Sequence, residues 1–403
     1  MRVDIRTAGA VLLTAGSLAV ATAARAAPEV RLGDGALVLR PYVLLQYDAA
    51  TTFAHSRDGG PGAGTNPRRL RLGVEADLFR DLEAVLIWDF GGTPGNRSRL
   101  YQASLEYKGL DPVVLTGGVF KPQFSLERVQ SSSDLLFLER AAVVSAAAGL
   151  AAGSGRVGVQ ARAGGERWLA SAALTGGETG PGSDSGQRGA AARVAGLPVR
   201  TGDFALHLGL SGALSWRPPR RDGQDSVELS ERPELAVDRP GGPLDTGSIP
   251  ARRARTGGVE AGLGWGRLWA QAEAYAIEVD RARPRGGTLG FSGWYAQAAY
   301  TVLGQPRRWK PDGATWGAPE PDDGGFDPAS GRWGAVELGA RVSELDLSDK
   351  DVRGGRQRVW TAGVNWRPVE PVRVVLQYQH ATIRGTAESR RFQAVALRGQ
   401  LRF

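Results

Sequence analysis

The sequence predicts an all-β chain, a 16-stranded antiparallel transmembrane β-barrel with an inward-folded third loop. Three observations predict it. Apolar and polar residues alternate with a period of two through most of the chain, the connections are long and short in turn, and the last strand is amphipathic and ends on Phe403. Strict alternation marks a strand whose two faces meet different surroundings. Short turns on one side and longer loops on the other are the pattern of an outer-membrane barrel.

The chain opens with a basic segment, Met1–Arg6, followed by an uncharged stretch from Thr7 to Ala24 with an apolar centre. Ala24-Arg25-Ala26 then places small residues at the −3 and −1 positions of a cleavage site. Residues 1–26 therefore read as a secretory signal peptide and 27–403 as one barrel domain. No later stretch has the ~18 consecutive apolar residues of a spanning helix.

From Leu37 the period is two. Leu37, Leu39, Val43, Leu45 and Tyr47 share one face of the first strand. Leu70, Leu72, Val74, Ala76 and Leu78 oppose Arg69, Arg71, Gly73, Glu75 and Asp77 in the second. Strands follow at Leu82–Phe90, Arg99–Tyr107, Val113–Phe120, Arg156–Arg162, Trp168–Thr175, Arg188–Leu197 and Asp203–Trp216. A loop rich in Pro, Arg, Asp and Gly fills 217–253. Strands resume at Ala254–Trp265, Leu268–Val279, Leu289–Val302, Trp333–Leu345, Arg356–Trp366, Val372–His380 and Arg391–Phe403. The even count puts both ends of the chain on the periplasmic side. One connection, Leu303 to Arg332, is long on the short-turn side, which means either an unusual turn or a missed strand such as Val227–Leu235. Aromatic residues near strand ends (Tyr47, Phe90, Tyr107, Trp216, Trp265, Trp366) fit the interfacial girdles of a barrel in lipid.

The alternation breaks once for more than thirty residues, after strand 5, over about 121–155. Here stand a Lys121-Pro122 step, the Ser131-Ser132-Ser133-Asp134 cluster, which predicts an N-cap for a helix over Leu135–Ala142, and the Ala/Gly-rich run Ser145–Gly155. An excursion of this length in a strand-and-turn chain is usually either a functional loop or a disordered one. The strand count makes it the third outer loop, the expected gate of the barrel.

Composition excludes several classes. The chain has 403 residues with 57 Gly, 11 Trp, a single Met and no Cys, so it has neither a disulfide framework nor a thiolate site. Mean hydropathy is −0.24, as a wall with one polar and one apolar face averages out. The net charge of +8 is carried by scattered residues with no nucleic-acid motif, leaving anionic surfaces or anionic solutes as partners. His55, His207 and His380 have no ligand partners at metal-site spacing, so no metal and no cofactor is expected. His207 and Ser211 share a strand face but stand ~13 Å apart by strand rise, too far for a catalytic pair. Asp322-Asp323 and Asp349-Lys350-Asp351 read as solvated turns.

If the apolar face meets lipid, Arg40, Arg69, Arg71, Arg162, Arg193, Arg341, Arg373 and Arg398 point inward, as do Glu75, Asp77, Glu83, Glu106, Glu260, Glu273 and Glu337. Mixed ladders of this kind serve structure as readily as selectivity, so a preference for anions needs a local excess at the narrowest point. The long loop adds Lys121, Arg128 and Arg140 against Glu127, Asp134 and Glu139, an even count in which position decides.

The chain resembles the phosphate-selective porin O and P family. The resemblance rests on Arg69-Leu70-Arg71-Leu72-Gly73-Val74, on Gly118 to Glu127 with Leu136-Phe137-Leu138-Glu139-Arg140, and on Gly293 to Tyr300. Gly334 to Ser343, Gly363-Val364-Asn365-Trp366 and the closing Leu397 to Phe403 complete it. It implies a sixteen-stranded trimeric barrel of the outer membrane whose third loop folds inward, passing anions along a basic track. On this reading the chain is a porin for small hydrophilic solutes with anions, phosphate among them, favoured. Lys121, Arg69, Arg71, Arg128, Arg140, Arg162, Arg341 and Arg398 are the candidate pore residues. The alternatives are a non-selective, organic-acid or sugar porin, or a plugged structural or adhesive barrel. Two departures stand out: Gln305 where the family often has Glu, and the Ala/Gly-rich Ser145–Gly155, which points to a looser or wider constriction.

Overall fold

A computed structural model of the chain describes residues 29–54, 63–92, 98–179, 186–221, 223–237, 244–322, 325–385 and 389–403. The expected signal peptide, 1–26, lies outside them. Sixteen wall strands follow one another: β1 (Leu37–Ala54), β2 (Gly64–Leu78), β3 (Leu82–Asp89), β4 (Arg99–Leu110), β5 (Val113–Phe120), β6 (Arg156–Gly164), β7 (Trp168–Glu178) and β8 (Arg188–Thr201). Then come β9 (Phe204–Arg217), β10 (Ile249–Trp265), β11 (Leu268–Arg281), β12 (Thr288–Leu303), β13 (Ala335–Asp349), β14 (Val352–Arg367), β15 (Val372–Arg384) and β16 (Arg390–Arg402). Each pairs antiparallel with the next. β16 returns to β1 from Leu44↔Arg402 to Ala54↔Phe392, so the sheet has no free edge. Phe403 closes the seam, exchanging two 3.0 Å backbone bonds with Val43.

All sixteen strands expected from the alternation are wall strands. Several run further than the alternation does: β1 reaches Ala54 and β10 begins at Ile249. These extensions lie at the long-loop end, where the outer face no longer meets hydrocarbon and the apolar alternation lapses. Val227–Leu235 is not a wall strand. Gln224–Val227 forms only small ladders with Arg220–Arg221 and with the start of β10, and Leu235 to Val237 are buried. The count of sixteen therefore stands, and the long connection after β12 is a genuine feature of the short-turn side. It is folded, with Trp309–Lys310 pairing Thr315–Trp316 and Phe326–Asp327 pairing Arg332–Trp333. Gln305 and Glu320 join its two arms by reciprocal backbone bonds of 2.8 and 3.1 Å.

The core lies inside the barrel. Its main cluster packs the third loop against Tyr275, Ile277, Leu289, Phe291, Tyr295 and Leu345. Two inward glycines make the seat. A Cβ on Gly339 would stand 2.7 Å from Leu136 of the loop, and one on Gly293 would stand 2.8 Å from Val143. Any larger residue there would push the loop off the wall.

Candidate functional site

The third loop leaves β5 at Lys121 and returns to β6 at Arg156. It contains α1 (Leu126–Val129) and α2 (Ala142–Gly149). Ser125 caps α1, its Oγ accepting from the Arg128 N–H at 3.2 Å. Glu273 of β11 takes the free N–H groups of Leu126 and Glu127 at 3.0 and 2.7 Å. The helix expected over Leu135–Ala142 does not form. The carbonyls of Ser133, Leu135, Leu136 and Leu138 face wall donors instead. Arg373 donates to Ser133 (3.1 Å) and Leu135, Asn365 to Leu136 (2.9 Å), and Arg398 to Leu138 (2.6 Å). A helix would claim some of those carbonyls for its own ladder and bury a whole cylinder of backbone, whereas this irregular stretch buries Leu135, Leu136, Phe137 and Leu138 all round. The Ala-rich run that suggested a loose constriction begins within α2, and Ala146, Ala147, Ala148, Ala151 and Ala152 are buried. Small side chains bring this part of the loop close to the wall.

The loop's even charge count separates in space. Its three carboxylates turn to the wall. Glu139 accepts from Arg68 at 2.6 Å, Arg398 at 3.3 Å and Arg69 at 3.4 Å. Burial raises its pKa, but these three guanidiniums outweigh that and hold it far below the carboxylate range. Asp134 lies 3.2 Å from Lys310 and 3.7 Å from both Arg367 and Arg402. Against the upward pull of burial these cations bring it down to about 2. Glu127 accepts from the Ala141 N–H at 2.9 Å and Arg341 at 3.3 Å, and burial pushes it up to about 7.

The three cations have no carboxylate within ion-pair distance among the described residues. Lys121 Nζ donates to the carbonyls of Arg128 (3.0 Å) and Val129 (3.4 Å). Arg140 donates to the carbonyls of Glu127 (3.0 Å), Gln130 (2.6 Å) and, through the same Arg128 oxygen that Lys121 uses, Arg128 (3.4 Å). Arg128 donates to Ser154 Oγ at 2.8 Å, and its Nε has no partner among the described residues. Two like charges thus converge on one carbonyl, with a third on the same short helix. Burial, with Arg140 and Arg128 adding to it and Tyr101 partly offsetting it, lowers the pKa of Lys121 to about 7. Burial pushes Glu231 up to about 8, against the opposing field of Arg128. All three cations are half-buried rather than sealed.

The other sequence candidates divide. Arg71 pairs with Asp89 at 2.7 Å and stacks 3.5 Å from the centre of the Tyr101 ring, which borders the loop cations. Arg162 pairs with Glu106 at 3.2 Å and is half-exposed. Arg69, Arg341 and Arg398 are sealed behind the loop, and the structure does not bring them to the accessible lumen. Arg69 bonds Gln46 at 2.6 Å, Arg341 holds Glu127 and Glu234, and Arg398 clamps Asp48 at 2.6 and 2.7 Å. Their exposures of 3, 2 and 0 % place them in the loop's mounting.

Two residues that matter lay outside the sequence reading. Arg68 and Tyr101 both sit at β-bulges, where the register shifts between Gln46 and Asp48 and between Ile87 and Trp88. A bulge inverts the face to which alternation assigns a side chain, so no periodic signal marked them.

The connection after β12 also enters the lumen. Arg307 donates to Glu337 at 2.7 and 2.9 Å and to the Asp134 carbonyl at 3.1 Å, and the Trp316 carbonyl accepts from Gln130 at 3.3 Å. His207, completely buried, bonds Glu260 at 3.0 Å between Trp309 and Trp316. Ser211 instead accepts from the Ser125 N–H at 3.0 Å, so His207 and Ser211 serve separate contacts. Asp351 is held by Arg281 at 2.6 Å and Arg285 at 3.2 Å. Accessible lumen surface remains along β1–β6, where Arg40, Tyr42, Glu75, Gln102, Glu106 and Arg162 are half-exposed opposite the loop.

A family model described as phosphate-selective porin O and P matches residues 42–403. An uncharacterised protein of Caulobacter vibrioides is 27% identical over 367 residues, 88% of this chain and 70% of that protein. Porin O of Pseudomonas aeruginosa is 24% identical over 362 residues, covering 81% of this chain and 78% of the relative. Among solved structures, the outer-membrane protein OmpT of Vibrio cholerae in its trimer form shares the fold. Its TM-score is 0.55 at 13% identity, with 91% of this chain and 100% of that chain covered.

Proposed function

We propose, from the premise that the chain belongs to the phosphate-selective porin O and P family, that this outer-membrane porin favours small anions, phosphate among them. Lys121, Arg128 and Arg140 face the passing solute across from the wall of β1–β6, where Arg162 is half-exposed and Arg71 lies buried against Asp89 and Tyr101. The observation that carries the reading is the separation of charge within the third loop. Its acids are paired with wall arginines and Lys310, and its bases are held by carbonyls and the Ser154 hydroxyl, which leave their charge uncancelled. In a constriction shielded from bulk water such an excess acts at close range. Small hydrophilic solutes pass by diffusion, and the porin assembles as a homotrimer after export and removal of residues 1–26.

The reversal potential of single channels in asymmetric KCl tests the preference. An anion-biased potential is expected, and a cation-biased one rejects the reading. Progressive block of the chloride current by added phosphate separates phosphate affinity from general anion preference. Light scattering of the detergent-solubilised protein gives the oligomeric state, and sequencing the mature N-terminus is expected to find Ala27.

One observation favours a second reading, a narrow or plugged barrel: the third loop, residues 227–237 and the connection after β12 all enter the lumen. Absence of any conductance would support it.

A further inference from the structure

The outer wall carries a charged patch for which the channel has no use. Charges on the lipid face of a barrel strand are costly at mid-depth and tolerated only near the interface. On β14 the outward positions run Trp366, Val364, Ala362, Trp360 and then, toward the long-loop end, Arg358 and Arg356. The charge begins directly past an aromatic residue that is 55 % exposed. Register extends the patch sideways: Arg356 stands opposite Arg384 of β15, and Thr382, opposite Arg358, stands opposite Arg391 of β16. On the other side Arg358 and Arg356 bond Glu344 of β13 at 2.7 and 3.1 Å, and Arg356 lies 4.0 Å from Asp346. Four arginines therefore meet two carboxylates. The side chains of Arg356 and Arg358 remain 53 % and 54 % exposed, and Arg384 and Arg391 are exposed with no ion pair among the described residues.

A second feature lies directly beneath. Ala296, Ala298, Ala340 and Ala362 occupy neighbouring outward positions on β12, β13 and β14, between Trp360 and Tyr378. They line a groove of about 660 Å³ in the lipid face. The row above it holds Trp294 and Glu344, the carboxylate that Arg356 and Arg358 bond.

We infer that patch and groove together bind one anionic, acylated lipid of the outer leaflet, its phosphorylated headgroup on the four arginines and an acyl chain in the alanine groove. The guanidinium fork suits phosphate oxygens, and basic clusters at a membrane surface attract anionic headgroups. Charge selects this occupant over a second copy of the chain. A protein neighbour would have to bring carboxylates of its own to Arg384 and Arg391, whereas a phospholipid of the surrounding leaflet supplies the anion and fills the groove at once. The inference rests on placement in the outer membrane and is independent of what the pore conducts.

Native mass spectrometry of the full mature protein in detergent tests it, with dioleoyl phosphatidic acid as probe and dioleoyl phosphatidylcholine as control. Phosphatidic acid should be retained about tenfold more tightly, and the double variant R356Q/R358Q should lower its retention roughly thirtyfold, at the usual attraction of two basic side chains for anionic lipid. Ala340→Phe, which fills the groove, should weaken retention of the dioleoyl probe while leaving a dihexanoyl phosphatidic acid unaffected. Heat-modifiable migration in gels checks that each variant folds. If the double variant does not fold, Arg384→Gln, which breaks no ion pair, gives the same readout with a smaller loss. Equal retention of the two headgroups, or no change in the arginine variants, overturns the proposal. The chain has no cysteine, so cross-linking between Ala340→Cys protomers would overturn it in favour of a second copy on this face.

Discussion

The two faces of the third loop are built from the same number of charges and behave in opposite ways. Toward β13–β16 and β2 its carboxylates meet Arg341, Arg367, Arg398, Arg402, Arg68 and Arg69 in a largely dry interface. Toward β1–β6 its cations rest on neutral acceptors, backbone carbonyls for Lys121 and Arg140 and the Ser154 hydroxyl for Arg128. A carbonyl satisfies a donor without cancelling its charge, while a carboxylate does both. Hydrogen bonding alone therefore fixes the geometry on the aperture side, and charge pairing fixes it on the wall side. A tally by residue type is blind to this difference.

The largest effect should come from breaking the wall side. Glu139→Ala leaves Arg68, Arg69 and Arg398 crowded with one fewer acid among them. Removing one partner of a buried pair costs about 3–5 kcal/mol. The urea midpoint of the folded barrel should fall, and single-channel recordings should become noisier as the loop loses its mounting. A midpoint and noise level equal to those of the parent would show that Leu135–Leu138 hold the loop without the ion pairs.

How much of this was legible in the sequence depends on the range of each contact. The wall was legible because strand alternation is local: Leu70, Leu72 and Val74 against Arg69, Arg71 and Gly73 need no distant partner to be read. The loop's position after the fifth strand followed from counting. Its inner structure did not, because the Arg398–Leu138 contact joins residues 260 apart, and such contacts outbid the local capping signal at Ser131–Asp134. Parity correctly put Arg69, Arg341 and Arg398 on the inner face, yet said nothing about what would cover them.

Next in size is a change on the aperture side. Lys121→Glu reverses a charge beside Arg140 and Arg128. An ion passing at 4 Å from a unit charge near a protein surface feels about 4 kcal/mol, so even a fraction of that should shift the anion-to-cation permeability ratio by about tenfold or more. The reversal potential in asymmetric KCl measures it. An unchanged ratio would clear Lys121 of a role and move the attracting track to Arg128, Arg140 and Arg162.

A gentler perturbation of the same face is pH. With its pKa lowered to about 7, Lys121 is charged below neutrality and loses its proton as pH rises through 7. Glu127, raised to about 7, gains negative charge over the same window. Both changes make the loop less positive, so anion preference should be strongest near pH 6 and weaken toward pH 8. Lys121→Arg keeps its charge throughout and should flatten the Lys121 part of the profile, while Glu127→Gln removes the other part. A preference that strengthens as pH rises contradicts both assignments.

The smallest effect is expected at the periplasmic end of the accessible wall, where charges do pair but in the open. Arg40 donates to Asp77 at 2.7 Å with 32% and 42% of the two side chains exposed. Exposed pairs of this kind contribute about 0–1 kcal/mol, and neutralising one acid there alters a balanced patch rather than an unpaired cluster. Asp77→Asn should therefore leave the urea midpoint nearly unchanged and move the reversal potential only slightly toward anions. A shift as large as that of Lys121→Glu would mean that the periplasmic mouth, and not the third loop, sets selectivity, because only a narrow and poorly screened passage could give one rim carboxylate that reach.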